Sequence, residues 1–220
     1  MRNLAFVCIA LAAGCGKNVE QTDPVERARA ALQSPDPGAR RAAAIELKEL
    51  GTAAKAAVPD LTTALADRDD GVRAQVVVAL WAVGRDARDA VPALVAALKD
   101  KSRDVRLGAA GALGEIAPDG AECVPALAVA LKDKDAAVRH TVAKSLGRFG
   151  PSAKDAVPAL TGVLTDTDKT VRMAAAYSLA DIGPDAKAAV PRLKEIAAKE
   201  RDGNIRGAAL NALQRIEDGH

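Results

Sequence analysis

A Val-Pro pair recurs along the chain at Val58-Pro59, Val91-Pro92, Val124-Pro125, Val157-Pro158 and Val190-Pro191, each 33 residues after the last. Fourteen residues beyond each of the first four Val positions stands an apolar residue followed by arginine: Val72-Arg73, Val105-Arg106, Val138-Arg139 and Val171-Arg172. Ile205-Arg206 continues this series one residue late, and Val25 with Ala39-Arg40 forms a degenerate first copy. Between these marks the apolar positions keep a helical period. Val91, Leu94, Ala97 and Leu98 fall at i, i+3, i+6 and i+7, while Val72, Val76, Ala79, Leu80 and Val83 make a second stripe of the same kind. Each unit therefore predicts a pair of helices.

The punctuation agrees. Proline after the repeat Val suits the first turn of a helix, where its missing N–H costs nothing. The second helix is expected to start at Asp36, Asp69, Ser102, Asp135, Asp168 and Asp202, residue types whose side-chain oxygen accepts from free backbone N–H groups. Gly51, Gly84, Gly150 and Gly183 stand where four of these helices should end in a left-handed cap. A helix pair of this size cannot bury its own apolar face. Six units from about Asp23 to Glu217 must fold as one stack.

The N-terminus has another pattern. Arg2 is followed by an unbroken apolar run, Leu4 to Ala13. Ten residues are too few to span a bilayer as a helix, which takes roughly 20. The run fits the apolar region of a secretory signal peptide. Ala12-Ala13-Gly14-Cys15 at its end resembles the cleavage site of a bacterial lipoprotein, where Cys15 becomes the lipidated first residue. An ordinary signal peptide with an incidental cysteine is the alternative. The expected organisation is a signal peptide over 1–14, a lipidated cysteine and short tether over 15–22, and a repeat domain over 23–220.

Composition sharpens this picture. Aromatic residues are only 2% of a chain that is 49% hydrophobic, so the core must be built from Ala, Val and Leu. Small side chains of this kind suit closely packed helices. The net charge is +2, with signs alternating in Lys99-Asp100-Lys101 and Lys132-Asp133-Lys134-Asp135, without the basic excess of a nucleic-acid binder. No nucleic-acid partner is expected. With Cys8 removed and Cys15 lipidated, Cys123 stands alone, and it reads as a small core residue.

The pattern Ala90-Val91-Pro92-Ala93-Leu94, then an N-cap three residues before Val-Arg, then Ala112-Leu113-Gly114-Glu115-Ile116, resembles HEAT-like repeats of the phycobilisome-lyase type. The resemblance covers about nine-tenths of the chain. It implies an all-α fold, a right-handed α-solenoid of about six helix pairs, with the second helices lining a concave side. Enzymes related to such folds carry signatures that are missing here. The two histidines, His140 and His220, do not precede Glu as they would in a di-iron hydroxylase, and no nucleotide-, zinc- or serine-hydrolase motif occurs. The expectation is a monomeric binding protein, not an enzyme, without catalytic residues, metal or cofactor. An accessory subunit like the bilin lyases, holding a chromophore or substrate, is the alternative.

The register also predicts two surface features. One arginine per unit (Arg40, Arg73, Arg106, Arg139, Arg172, Arg206) is expected to form a structural ladder joining caps and neighbouring units. On each second helix, the second, sixth and ninth residues after the marker Val point away from the buried stripe. These slots collect Val78, Trp81, Leu107, Gly111, Gly114, His140, Lys144, Met173 and Tyr177, the candidate binding ridge for a protein or peptide. Gly111 and Gly114 predict a bare strip of backbone there, a shallow pocket walled by Trp81 and by His140 and Lys144. The membrane would be met through the lipid anchor alone, in the bacterial cell envelope.

Overall fold

The computed structural model describes residues 23–117 and 120–219. The expected signal peptide and Cys15 lie outside the described residues. The first pair is α1 (Pro24–Ala31) and α2 (Pro37–Leu50), the second α3 (Val58–Ala64) and α4 (Asp70–Val83), and the third α5 (Val91–Ala97) and α6 (Arg103–Ile116). The fourth pair is α7 (Val124–Ala130) and α8 (Ala136–Arg148), the fifth α9 (Val157–Val163) and α10 (Lys169–Ile182), and the sixth α11 (Val190–Lys199) and α12 (Gly203–Asp218). No strand occurs among the described residues.

Each marker residue sits where the pattern placed it. Val72, Val105, Val138 and Val171 are fully buried, as are Leu47, Leu80, Leu113, Leu146 and Leu179, eight residues further on in their units. The second helices form a continuous layer, each packed along its neighbour. The first helices α3, α5, α7 and α9 are only two turns long and touch one another sparsely. Closer packing in the second-helix layer bends the stack towards that layer. The second helices thus line the concave side and the first helices the convex side.

Caps fix the element ends. Asp36, Asp69, Asp135, Asp168 and Asp202 each accept from backbone N–H groups in the first turn of their helix. Ser102 has the extended backbone of a cap but makes no side-chain bond to its helix. Instead its own N–H donates to Asp100 Oδ1 at 2.7 Å. The helix ends differ from expectation too. Gly51, Gly84 and Gly183 have φ of 55°, 71° and 71°, but ψ of −128°, −142° and −139°, which is not the left-handed helical region. It is close to the extended positive-φ region that essentially only glycine enters. The reason lies in the geometry of the connection: the chain turns at once into a 3₁₀ segment, such as Gly84–Ala90, which delivers it to the next first helix.

The arginine ladder is structural, as expected, and its partners are now defined. Arg40, Arg73, Arg106 and Arg139 each form a two-pronged pair with an aspartate 27 residues ahead, in the turn of the following unit: Asp67, Asp100, Asp133 and Asp166. The distances run from 2.6 to 3.0 Å. The remaining guanidinium nitrogen donates to a carbonyl six residues back, as from Arg106 to Asp100 at 3.0 Å. Each aspartate also accepts the N–H two residues on, for example Asp135 to Asp133 at 2.8 Å. A planar fork is needed to satisfy all of these acceptors together, which lysine cannot do.

These contacts set the electrostatics. Hydrogen bonds from Arg40 and Arg139 hold the Asp67 and Asp166 carboxyls below the usual range, against the opposing pull of burial. At Asp100 and Asp133 burial pushes upward most strongly. The arginine and backbone hydrogen bonds together outweigh it, and the net direction is again downward.

Glycines and serines set the spacing of the second-helix layer. A Cβ on Gly108 would stand 2.8 Å from Val77, and one on Gly114 would stand 2.6 Å from Ser145 Oγ and 3.0 Å from its Cα. Ser145 and Ser178 donate across the layer to the carbonyls of Ala110 and Ala143, both at 2.7 Å. Cys123 is buried as expected, its thiol 3.4 Å from the Gly120 carbonyl.

Candidate functional site

The residues of the candidate ridge fall into two parts. On α4 and α6, Val78 and Trp81 are exposed at 36% and 38%, while Leu107 is half-buried against the core. Gly111 is buried because the six-membered ring of Trp81 lies across it, 2.6 Å from where a Cβ would stand. Gly114 is likewise covered by Ser145. The pocket expected over these two glycines is therefore absent: their missing side chains make room for an indole and for a helix contact. A glycine facing a side chain of the next helix allows close packing; Gly111 is buried by it and Gly114 is left half-buried.

The second part is a groove of about 340 Å³ between α8 and α10. It brings together four ridge residues, His140, Lys144, Met173 and Tyr177, and adds Arg148 and Asp181. Tyr177 is the most exposed aromatic residue on the described surface, at 48%. His140 is held by the carbonyl of Thr170, 3.1 Å from Nδ1, so with the proton on Nδ1 its Nε2 is free to accept. Lys144 is exposed and forms no ion pair among the described residues. Arg148 pairs with Glu115, and Asp181 with Arg215 at 2.7 Å.

Sequence reasoning missed Arg148 and Asp181, although a signal was present. In the last four units the tenth residue after the marker reads Glu115, Arg148, Asp181, Arg215, an alternation of sign from one unit to the next. Chemically, the groove offers an apolar floor from Met173 and the Tyr177 ring, with donors at the Lys144 ammonium and the phenol. It is suited to hold an extended side chain that ends in an acceptor. Among the described residues no cluster of His, Cys, Asp or Glu could hold a metal ion.

Comparison with known proteins agrees with this architecture. No curated protein matches the chain. Among solved structures, an engineered protein is 26% identical with a TM-score of 0.72, over 90% of this chain and 98% of that one. A computationally designed armadillo repeat protein for modular peptide recognition shares the fold at 18% identity and a TM-score of 0.68, over 87% and 99%. The complex of CpcE and CpcF of phycocyanin lyase from Nostoc sp. PCC7120 contains a chain 27% identical with a TM-score of 0.62, over 94% and 82%. HEAT repeats match residues 4–81, 58–122, 91–154 and 124–214, in overlapping windows of which the last three begin 33 residues apart. From its repeat pattern, its stacked helix pairs and these matches, the chain belongs to the HEAT-repeat family.

Proposed function

We propose that this protein is an exported, lipid-anchored scaffold that binds a protein or peptide along its concave face and catalyses no reaction. The observation that carries the reading is the groove between α8 and α10. Exposed Tyr177, half-buried Met173 and Lys144, which has no ion pair among the described residues, converge there on the inner surface of the stack. Aromatic side chains fixed by a rigid scaffold bind at low entropic cost, and such residues dominate binding energy at interfaces. The protein acts as a monomer in this reading, with Cys15 carrying the anchor.

Capture of a partner from membrane extracts tests it. Tyr177→Ala should weaken capture at least tenfold while leaving the helical spectrum intact, and Trp81→Ala should weaken it less, because the indole is partly committed to Gly111. Undiminished capture by the Tyr177 variant removes the groove from the proposal. Cys15→Ser tests the anchor separately, since the variant should lose acylation and partition as an unprocessed or soluble form.

The likeness to a chain of the phycocyanin lyase complex favours one second reading, an accessory subunit that holds a chromophore or substrate. Absorption spectra after incubation with a free tetrapyrrole separate the two, since only the second reading predicts a retained chromophore.

A further inference from the structure

The convex side is not uniform. First helices near the two ends carry charge outward: Glu26, Arg27 and Arg29 on α1, Asp60 on α3, and Arg192, Lys194 and Glu195 on α11. The three between them do not. Pro92, Val95 and Ala96 on α5, Val129 on α7, and Gly162 and Val163 on α9 line two apolar grooves of about 490 and 640 Å³, one on each side of Val129. Val129 is the most exposed large hydrophobic residue described, at 65%.

Two of these three units, the third and fourth, carry the sequence Lys-Asp-Lys in the turn after the first helix, at Lys99-Asp100-Lys101 and Lys132-Asp133-Lys134. Read as sequence, these turns look balanced. In the fold they are not, because Asp100 and Asp133 are the acids gripped by Arg73 and Arg106. All four lysines are exposed, and none is ion-paired among the described residues. The neighbouring Arg103 is held by Asp135 and Asp104. Lys99 and Lys132 themselves border the apolar grooves.

We propose that this convex face, over α5, α7 and α9, rests on the surface of an anionic lipid bilayer. A plane meets a convex body at its middle, and the middle of the array is where charge gives way to Val, Pro and Ala. Lysine stems can lie along apolar surface while their ammonium groups reach lipid phosphates. The arrangement goes beyond the anchored-scaffold reading and does not require the acyl chain. It turns the concave groove away from the membrane, towards a soluble partner.

The test uses the full chain carrying Cys15→Ser, so that any anchor is absent and failure of this proposal is distinct from failure of the anchor. Its sedimentation is measured with phosphatidylglycerol-rich and pure phosphatidylcholine vesicles. Preference for the anionic vesicles is expected, declining as salt is raised. Each lysine near an anionic surface contributes roughly fivefold, so Lys99→Gln with Lys132→Gln should weaken binding about thirtyfold. Val129→Asn should weaken it further, and the concave pair Lys48→Gln with Lys144→Gln, on the second helices α2 and α8, should leave it unchanged. Equal binding to neutral vesicles, an unaffected Lys99/Lys132 variant, or equal loss from the concave pair would overturn the proposal. So would a parent chain that ignores vesicles while Val129→Asn releases a bound protein.

Discussion

The junction between the third and fourth units and the junction between the fifth and sixth are built from the same parts and come out differently. At the first, Arg106 grips Asp133 with two short bonds, and both side chains are more than nine-tenths buried. At the second, one extra residue in the chain places Lys199 at the 27-residue step, and the acid arrives at Glu200. α11 runs three residues longer than the first helices of the preceding four units. Arg172 Nε then stands 3.7 Å from Glu200 and, though buried, makes no hydrogen bond among the described residues. The comparison teaches that the clamp measures chain length, and that a single insertion disengages it while the helices still stack.

The largest effect is expected from breaking the intact clamp. Arg106→Gln leaves Asp133 buried without its cation and should cost about 3–5 kcal/mol in chemical denaturation. Arg172→Gln, at the disengaged junction, should cost less than about 1 kcal/mol. Equal costs at the two sites would show that the clamp adds nothing to stacking.

Next comes the core. Leu113→Ala, in the third unit, should cost about 2–5 kcal/mol by transfer and cavity terms. Leu213, its counterpart in the sixth, is already 9% exposed, and its replacement should fall at or below the low end of that range. Hydrogen exchange should show the Leu113 damage spreading into the second and fourth units, since each repeat relies on its neighbours.

Glycines sharpen the contrast by sign. Gly114→Ala drives a methyl into Ser145 and should destabilise by about 1–3 kcal/mol. Gly207, on the sixth unit's helix α12, has no atom within 4 Å of a new Cβ, so Gly207→Ala should raise the melting temperature through a gain of up to about 1 kcal/mol.

The smallest effect at neutral pH appears only in acid. Asp67 and Asp166 have carboxyls depressed in the folded state. Their contribution is complete above the unfolded value, about 3.9, and is lost as pH falls through the lower folded value. Urea midpoints should therefore hold from pH 7 to about 5 and drop in strong acid. The acid-induced drop should be shallower in Asp166→Asn, whose clamp is already weakened at neutral pH.

Much of this was legible in the sequence because repetition turns weak local signals into a register. The 33-residue step, the proline positions and the aspartate caps each sit where one helix would place them. What crosses between units was harder to see. The clamp pairs residues 27 apart, a distance that no single-helix rule considers. The glycines misled for the same reason. Within α6 they looked like a bare floor, yet Gly108 faces Val77, where three of the other units have Ala44, Ala143 and Ala176 in the same slot, and Gly111 faces the single Trp. Large opposite small across a junction is a packing match, visible only once the units are laid side by side. The ridge residues Tyr177 and Lys144 are exposed, as their slots suggested, while at Gly111 backbone was taken for open space.

The clamps also give the array a mechanical grain. All four lie in the turns between first and second helices, hence along one edge of the stack. The opposite edge is made of the 3₁₀ segments and the adjoining helix ends, where the ionic ties among described residues are the exposed pairs Lys55–Asp86, Glu115–Arg148 and Asp181–Arg215. Exposed pairs of that kind hold weakly. A load applied to the stack therefore meets a stiff spine on one side and a compliant margin on the other. The array should flex as a book opens, with the spine staying shut and the pages parting.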